Sequence, residues 1–540
     1  MALGFSWQGP AAAGGRLRRT TRKGLLVVEG WLTAAFGPGL NPLYHLGALT
    51  IFFFWVVLVT GIYLFIFFET SLSGAYQSVE HLTREQWYAG GVMRSLHRYA
   101  SDAAVVTMAL HLIREFVHDR HRGARWYSWF TGLPLVWLVY ILGITGYWLV
   151  WDQLAHYIAV TTAEFLDALP VFTDPMARNF LTDEGVSDRF FTLMAFLHLL
   201  GVPLILVFAI WFHVLRITGP RVNPPRRLAL GSLAALIFAS LIWPAVSHPE
   251  ATLGQVPQVL HLDWFYLPAY PLIDQLSPAW VWVVLVGGTA ALALLPWLPP
   301  QRRAAAEVDL ANCNGCGRCF ADCPYSAIEM APRTDGKRHE EEAVVDPALC
   351  TSCGVCAGAC PSSTPFRRVE DLISGIELPE APVGEMREVV EGALDSLEGD
   401  VRILAFTCEP GVDIESLRVP GAAAVRLPCV GMLPPAFIDY ALRRRGADGV
   451  LIAACRSGDC QYRFGDLWLT QRLAGEREPH LKRHVDPARI RVTHAAATDR
   501  RAVRGELEAF RRALAERMPK REAPPSSGGG SEPKVAGHGR

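Results

Sequence analysis

The chain has 540 residues and an almost balanced charge, with 51 Lys and Arg against 52 Asp and Glu. It is too long for a single core, and its overall charge points to no nucleic-acid partner. Charged residues make up only 19% of the chain, and the apolar runs fall in the first 300 residues, so we expect a membrane-embedded part there.

Six apolar stretches are long enough to cross a bilayer, some of them only with polar interruptions. Basic residues cluster in the N-terminal segment and in the loops after the second and fourth stretches, all on one side. The positive-inside rule therefore predicts that the N-terminus and everything after the sixth stretch lie in the cytoplasm. We call the stretches spans A to F: 43–68, 90–116, 130–150, 190–215, 228–246 and 279–298.

Spans B and D each carry two histidines, His97 with His111 and His198 with His213. A spacing of fourteen or fifteen residues places two imidazoles about 21 Å apart on nearly the same helix face. Two such helices side by side would present two facing pairs, which suits bis-imidazole ligation of two haems, one near each membrane surface. Histidines that only form hydrogen bonds between helices are the alternative.

Spans A and C carry glycines with the same interval, Gly47 with Gly61 and Gly132 with Gly146. A flat macrocycle between two helices requires neighbouring backbones to approach closely, which glycine permits. Small residues that merely pack membrane helices are the alternative. The shared interval favours a role for these glycines in binding the haems.

Together with the words RSLHRY, ITGYWLVWDQ, LDALPVF and ITGP, these features resemble cytochrome b of the quinol-oxidising bc-type and bf-type complexes, over about residues 25 to 300. The resemblance implies two stacked b haems, quinone or quinol as substrate, and a hetero-oligomeric complex with a dimer as one option. It also implies a membrane-lipid environment and a haem-propionate partner in Arg94. The implied ligand pairs are His97 with His198, and His111 with His213.

The segment HLDWFYLPAY, between spans E and F, is similar to the Pro-Glu-Trp-Tyr stretch that lines the quinol-oxidising site of that family. The similarity implies catalytic roles for Asp263, Trp264 and Tyr266, with Asp263 taking a proton from quinol. The segment departs from the family at Leu262, Asp263 and Phe265, which replace Pro, Glu and Tyr. A solvated aspartate on a surface loop is the alternative.

His45 stands where the bf-type branch has a cysteine that attaches a further haem. No cysteine precedes Cys313, so that attachment is not expected. A capping or interfacial role for His45 is favoured over ligation of a third haem.

All twelve cysteines follow residue 312, and eight of them lie in CNGCGRCFADCP and CTSCGVCAGACP. Each run reads C-x2-C-x2-C-x3-C-P, the bacterial ferredoxin pattern, in which the fourth cysteine serves the other cluster. Residues 304–368 therefore resemble a ferredoxin with two 4Fe-4S clusters, and a pair of zinc sites is the alternative. The predicted ligand sets are Cys313, Cys316, Cys319 and Cys360 for one cluster, and Cys323, Cys350, Cys353 and Cys356 for the other.

From residue 399 onward, strands alternate with helices, which predicts a parallel α/β layer. Four cysteines fall at or near strand ends, where sites gather in such sheets, and they suit an iron–sulfur cluster or, alternatively, zinc. The words LPCVGML and GADGVLIAACRSGDCQYRFG resemble the delta subunit of methyl-viologen-reducing hydrogenase, which implies a 2Fe-2S cluster; Gly411 occupies the position of a further cysteine in that family. The four cysteines are Cys408, Cys429, Cys455 and Cys460.

The sequence thus predicts a multi-domain protein that exchanges electrons between the quinone pool and a cytoplasmic redox enzyme or carrier, from the cytoplasmic membrane. In one alternative, quinone reacts only on the inner side, near His111, His213 and His45. In another, the chain is a non-catalytic anchor and conduit for a hydrogenase or heterodisulfide-reductase-like partner. No GxGxxG follows a strand, so we expect no independent use of NAD(P)H.

The predicted fold class is a six-helix transmembrane bundle, a ferredoxin-like α+β domain and a small α/β iron–sulfur domain. The expected boundaries are 1–227 for the di-haem bundle, 228–303 for two further helices, 304–368 for the ferredoxin domain, 369–398 for a linker containing a helix, 399–519 for the α/β domain and 520–540 for a disordered tail.

Overall fold

The computed structural model of the chain describes residues 16–169, 175–180, 186–216, 222–253, 259–298, 303–456 and 460–517. Residues 520–540, predicted to be a disordered tail, lie outside this range. Two compact units are present: an N-terminal unit over Pro10–Arg303, and a C-terminal unit over Ala304–Cys460 and Phe464–Arg540.

The N-terminal unit is helical. Helix α2 packs along α4, and α5 packs along α8, while α9 lies against α4. A π-helical turn, Leu197–Gly201, joins α7 to α8 and carries His198. The helices are α1 Arg16–Phe36, α2 Leu46–Phe67, α3 Ala75–Glu80, α4 Val92–Val117, α5 Trp126–Val150, α6 Gln153–Asp167, α7 Asp188–Phe196, α8 Val202–Val214, α9 Arg226–Ile242, α10 Tyr270–Gln275 and α11 Pro278–Leu294.

Four helical segments in the described residues are long and apolar enough to cross a membrane: Leu46–Phe67, Trp126–Val150, Asp188–Val214 and Pro278–Trp297. They correspond to spans A, C, D and F. The helix of span B, α4, has 26 residues but contains several charged side chains. The helix of span E, α9, has 17 residues, about 25 Å of rise against a hydrocarbon layer of about 30 Å. A total of six spans therefore remains a prediction.

The outer faces of these helices are apolar, whereas polar groups face inward. Val59, Phe208 and Val284 are largely exposed, as expected for helices whose surroundings are lipid. Inside, the buried Glu29 of α1 bonds to Arg114 of α4 at 2.8 Å, which ties the first helix to the bundle. A buried charge of this kind is stable only when it is paired.

The C-terminal unit begins with two small antiparallel sheets and two short helices. Strand β1 (Glu307–Val308) pairs with β4 (Ile376–Glu377), and β2 (Ile328–Pro332) pairs with β3 (Glu341–Val345). The helices α12 (Arg318–Asp322) and α13 (Val355–Ala359) each follow a glycine in the left-handed region, with φ values of 71° and 74°. The two cysteine runs therefore adopt the same local conformation.

A four-stranded parallel sheet forms the rest of this unit, with the strand order β6-β5-β7-β8. Its two central strands are buried along their whole length, which explains their continuous apolar sequence. Buried side chains of α17 cover one face of the sheet, and those of α14 and α15 belong to the core on the other. The elements are β5 Ile403–Cys408, β6 Ala422–Leu427, β7 Gly449–Ala454, β8 Ile490–His494, α14 Val383–Asp395, α15 Pro435–Arg443, α16 Gly465–Ala474 and α17 Arg500–Arg517.

Residues 369–398 belong to the folded core of the C-terminal unit. They contain β4 and α14, and Ile376, Val383 and Val390 are buried together with Phe406 of the parallel sheet. The acidic residues of this segment suggested a linker with a helix, and the helix is present. The segment is not a linker, however, because its apolar side chains join the two parts of the unit into one core.

Candidate functional sites

The four predicted haem-ligating histidines form two facing pairs. The ring centroids of His97 and His198 lie 6.3 Å apart, and those of His111 and His213 lie 6.4 Å apart. A metal–nitrogen bond is about 2 Å long, so two imidazoles on opposite sides of one metal place their centroids about 6 Å apart. Each pair is therefore spaced to receive one haem iron between its rings.

Hydrogen bonds determine which ring nitrogen of these histidines is available to a metal. Nδ1 of His97 lies 3.0 Å from the carbonyl oxygen of Val57 on α2. His198 and His213 make the same kind of bond to backbone carbonyls. A carbonyl can only accept, so Nδ1 carries the proton and Nε2 keeps its lone pair for a metal.

Each predicted haem-packing glycine faces one of these imidazoles. A Cβ atom at Gly146 would lie only 2.8 Å from Cε1 of a histidine ring, closer than real contacts allow. The glycines therefore provide room for the rings themselves, and their expected role in packing the macrocycle stays a prediction. The distances from the added Cβ to Cε1 are 2.8 Å for Gly146 and His198, 3.0 Å for Gly61 and His97, 3.1 Å for Gly132 and His213, and 3.6 Å for Gly47 and His111.

Three threonines next to these glycines also contact the histidine rings, and they were not among the predicted site residues. The hydroxyl of Thr60 donates to the carbonyl of Val56 at 2.7 Å, so its oxygen can accept from Nδ1 of His97, 3.1 Å away. The sequence feature that could have identified them is a repeated Thr-Gly dipeptide, which places a hydroxyl group and a glycine backbone next to the same imidazole ring. The other contacts to Nδ1 are Thr145 to His198 at 3.2 Å and Thr131 to His213 at 3.5 Å.

Arg94, predicted to bind a haem propionate, has protein partners. Its Nη2 donates to the hydroxyl of Ser247 at 2.7 Å, and its Nη1 donates to Thr83 and lies 3.5 Å from a carboxylate oxygen of Glu80. The Glu80 carboxylate thus compensates the charge of Arg94 in this structure. The propionate role remains a prediction.

Asp263 is buried, with only 5% of its side chain exposed, so it is not the solvated loop residue of the alternative interpretation. Its Oδ2 lies 2.7 Å from Nη2 of Arg98 and accepts a hydrogen bond from the hydroxyl of Tyr147 at 2.5 Å. Its Oδ1 accepts from the backbone N–H of Phe265 at 2.7 Å. Arg98 also lies 3.4 Å from Asp102, so one guanidinium connects two carboxylates.

The other two predicted catalytic residues point in different directions. Tyr266 is buried, and its hydroxyl lies 2.6 Å from that of Ser101 on α4. Its ring packs against Gly143, where a Cβ would lie 2.2 Å from the ring. The side chain of Trp264 is 70% exposed, so the structure brings Asp263 and Tyr266 against the bundle but leaves Trp264 outside it.

His45 is largely buried just before α2. Its Nε2 lies 3.0 Å from the carbonyl oxygen of Gly39. This bond agrees with a structural role for His45 and occupies the nitrogen that would ligate a third haem.

The eight cysteines of the two ferredoxin-like runs surround two cavities, and each cavity takes three cysteines from one run and the fourth from the other. Burial raises the pKa of Cys319 and of Cys353 to about 12, so these thiols keep their protons at neutral pH until a metal centre displaces them. The four thiols around each cavity match the number of ligands that a 4Fe-4S cluster takes. The two sets are Cys323, Cys350, Cys353 and Cys356, and Cys313, Cys316, Cys319 and Cys360.

The last four cysteines meet at the carboxyl edge of the parallel sheet, and all are buried. Cys408 contacts Cys429 and Cys455, and Cys460 contacts the same two, so the thiols form a ring. The backbone N–H of Val430 also points at Sγ of Cys408, at 3.4 Å. Hydrogen bonds from neighbouring thiols lower the pKa of Cys408, which favours the thiolate that a metal centre requires.

Three protein families match successive segments of the chain, and each segment contains one of the side-chain arrangements described above. The family described as Cytochrome b/b6/petB matches residues 33–219, the 4Fe-4S dicluster domain matches residues 312–364, and the family described as Methyl-viologen-reducing hydrogenase, delta subunit, matches residues 403–516. Cytochrome b6 of Cyanidium caldarium is 29% identical over 188 residues, which cover 35% of this chain and 87% of that protein.

A solved structure described as "Hyperthermophilic respiratory Complex III" is similar with a TM-score of 0.40 and 20% sequence identity, over 47% of this chain and 75% of that chain. The family matches cover the histidine pairs, the two cysteine runs and the sheet-edge cysteines, respectively, and the similarity described below rests on them alone. The chain is therefore similar, in three successive segments, to cytochrome b/b6, to 4Fe-4S dicluster domains and to the delta subunit of methyl-viologen-reducing hydrogenase.

Proposed function

We propose that the chain transfers electrons through the cytoplasmic membrane between the quinone pool and a cytoplasmic redox enzyme or carrier, as one subunit of a larger complex. The observation that carries the proposal is the spacing of the two imidazole pairs, 6.3 and 6.4 Å. When bound, two b haems, two 4Fe-4S clusters and one 2Fe-2S cluster would supply the redox steps. The protein would hold these groups, orient them and set their potentials.

In this proposal, the four histidines bind haem iron through Nε2, while backbone carbonyls anchor the rings of His97, His198 and His213. The two ferredoxin-like cysteine sets and the four sheet-edge cysteines bind the clusters. The basic residues near the N-terminus and in the loops support a cytoplasmic position for the C-terminal unit. The six-span bundle, with residues 1–227 holding the haems and 228–303 adding two helices, belongs to the same proposal.

Quinol oxidation would take place near Asp263 and Tyr266. Asp263 would accept the proton of the quinol hydroxyl, with Arg98 and Tyr147 holding the carboxylate in place. Electrons sent inward from an outer site would move against the membrane field, at about 2.3 kcal/mol per charge per 100 mV. Running in reverse, the same field would help to drive quinone reduction.

A second candidate function is that of a non-catalytic anchor and conduit for a hydrogenase or heterodisulfide-reductase-like partner. One observation favours it: both carboxylate oxygens of Asp263 already have protein partners. A quinol hydroxyl would have to displace Tyr147 or share the carboxylate with Arg98. The exposed Trp264 does not help to form a pocket there.

Turnover of a short-chain quinol by the purified full-length chain, with an artificial electron acceptor, tests the proposal. If Asp263 accepts the proton, Asp263→Asn lowers turnover about a hundredfold. Asp274→Asn is the matched control, because Asp274 accepts a hydrogen bond from Tyr157 on a neighbouring helix and has no contact with Arg98. Unchanged turnover in Asp263→Asn would instead indicate that quinone reacts on the cytoplasmic side of the membrane. A wild-type chain that binds its haems without turning over quinol would support the conduit.

A further inference from the structure

Arg472 joins two cysteine-bearing loops inside the C-terminal unit. It lies on α16 and is fully buried. Its Nη1 donates to the carbonyl of Gly431 at 2.8 Å, and its Nη2 donates to the carbonyl of Val355 at 3.3 Å. Gly431 follows Cys429 by two residues, and Val355 directly precedes Cys356. One guanidinium therefore links a loop of the ferredoxin-like part to a loop of the sheet-edge thiols.

The charge of Arg472 is only partly neutralised. Its Nη2 lies 2.5 Å from Oδ2 of Asp322, a buried carboxylate. The other oxygen of Asp322 bonds to Arg477, which stacks on the ring of Trp468 at 3.6 Å. Two guanidinium groups thus share one carboxylate, which leaves a net positive charge. Burying such a charge is costly unless a further anion lies close by.

The hydrogen bonds of Arg472 place its guanidinium between two cysteine-bearing loops, whose thiols could supply that anion. The Nε of Arg472 is buried and has no hydrogen-bond partner among the described residues. A buried N–H without a partner costs about 1–3 kcal/mol. Arg472 also donates to the carbonyl of Gly431, two residues after Cys429. The excess positive charge therefore lies beside thiols that become anionic when they bind iron.

The two loops are also in direct backbone contact. A Cβ atom at Gly358 would lie 2.3 Å from the carbonyl oxygen of Gly431, and one at Gly354 would lie 2.8 Å from Sδ of Met432. Both positions require glycine for this approach. The surrounding core is continuous, with Cys356 and Met432 in the same buried cluster, so only packed protein atoms separate the loops.

We propose that this contact is the electron-transfer junction of the C-terminal unit, with Arg472 as the residue that positions and tunes it. The inference rests on the proposed function, since it requires both centres to be present. Cys323, Cys350, Cys353 and Cys356 would hold a 4Fe-4S cluster on one side of the junction, and Cys408, Cys429, Cys455 and Cys460 would hold a 2Fe-2S cluster on the other; one electron would pass between them in either direction, oxidising one centre and reducing the other. No bond forms or breaks, and no proton moves.

The positive charge of Arg472 stabilises the more negative, reduced state of each neighbouring centre, so its loss lowers both potentials. The carbonyls that Arg472 binds lie next to ligands of the two junction centres, whereas Arg472 approaches the set of Cys313, Cys316, Cys319 and Cys360 at Gly358, two residues before Cys360. The potential of that third cluster should therefore shift less than those of the junction centres. This difference separates a local electrostatic role from general loss of structure.

Redox titration of the full-length holoprotein, followed by EPR, tests the proposal with Arg472→Met. At a fixed ambient potential, the ratio of reduced to oxidised protein should fall about tenfold at both junction centres, which is about 59 mV for a one-electron couple. Arg472→Lys keeps the charge and should restore the ratio to within about twofold. Arg489→Met is the matched control, because Arg489 also donates to backbone carbonyls, those of Ala447 and Asp448, but has no bond to Asp322; it should leave both ratios unchanged.

Unchanged junction potentials in an Arg472→Met protein with full iron content would overturn the proposal, as would an equal shift of all three clusters. If Arg472→Met loses iron, Gly358→Ala decides instead. Forcing the loops apart there should weaken the magnetic interaction between the two reduced junction centres, and an unaltered interaction would refute the junction. A wild-type chain without a 2Fe-2S signal would instead contradict the cofactor assignment of the proposed function.

Discussion

The imidazole pairs of the N-terminal unit and the thiol sets of the C-terminal unit are held in opposite ways. Each imidazole sits on a long helix beside a glycine of a second helix, and backbone carbonyls of that second helix also bind His97, His198 and His213. The ferredoxin-like thiols lie in two short runs, and each set takes three of its four cysteines from one run. A helix-borne site, which is each imidazole pair, should thus be sensitive to residues far away in the chain. A loop-borne site, which is each ferredoxin-like thiol set, should be sensitive mainly to residues of its own cysteine runs.

The largest expected effect comes from Gly146→Val. Its added atoms would occupy the space of the His198 ring, because a Cβ there already lies 2.8 Å from Cε1. We expect the haem content to fall from two per chain to about one. Pyridine haemochrome assay of the purified variant measures this.

Gly288→Ala is the control for that experiment, because nothing lies within 4 Å of a Cβ added at Gly288 in α11. A graded series sharpens the comparison: Gly47→Ala, with 3.6 Å to its histidine, should retain both haems. Two haems in Gly146→Val would show that the helix-borne site does not depend on its glycine.

Cys360→Ala should remove one cluster in the loop-borne part, and the crossed ligand pattern predicts which one. Cys360 lines the cavity of Cys313, Cys316 and Cys319, so the chain should lose about four irons and a single 4Fe-4S EPR signal. Ser362→Ala, which removes a hydroxyl 3.0 Å from Sγ of Cys360, should keep the cluster. Loss of the cluster served by Cys350 instead would contradict the assignment.

Thr60→Val should have a smaller effect, on potential and not on occupancy. The variant keeps the shape of the side chain but removes the hydroxyl beside Nδ1 of His97. Loss of that acceptor makes the imidazole a weaker electron donor to the haem iron, so the midpoint potential of one haem should rise. At a fixed ambient potential, the reduced-to-oxidised ratio of that haem should increase about fivefold, which corresponds to about 1 kcal/mol.

Spectroscopic redox titration of both haems measures that change. Thr289→Val is the control, since Thr289 contacts Trp137 and no histidine. A shift of both haems to the same extent would argue against a local effect of Thr60.

His45→Gln should have the smallest effect. Its bond to the carbonyl of Gly39 contributes about 1 kcal/mol, so a slight loss of thermal stability is expected with no change in haem content. Loss of a haem signal in this variant would show that His45 is a ligand after all.

The same contrast explains what the sequence could reveal. The repeated C-x2-C-x2-C-x3-C run matches the bacterial ferredoxin pattern, and that resemblance grouped Cys360 with Cys313 as the cavity does. The interval between His97 and His111 did the same for the helices, because a helix repeats regularly. In both cases the geometry is local or periodic.

Contacts between segments that are far apart in the chain could not be predicted from local motifs or helical periodicity. The burial of Asp263 depends on Arg98 and Tyr147, which lie more than a hundred residues earlier in the chain. Residues 369–398 looked like a linker because their acidic positions are visible in sequence, whereas their packing on the parallel sheet is not. The role of Thr60 was hidden because threonine is ordinary in a membrane helix until its neighbour is known.

The most direct test of the central claim is a reduced-minus-oxidised absorption spectrum of the purified full-length chain, combined with extraction and counting of haem. The two imidazole pairs predict two b haems per chain, each with the α-band of a bis-histidine centre. A chain that binds one haem or none would contradict the account.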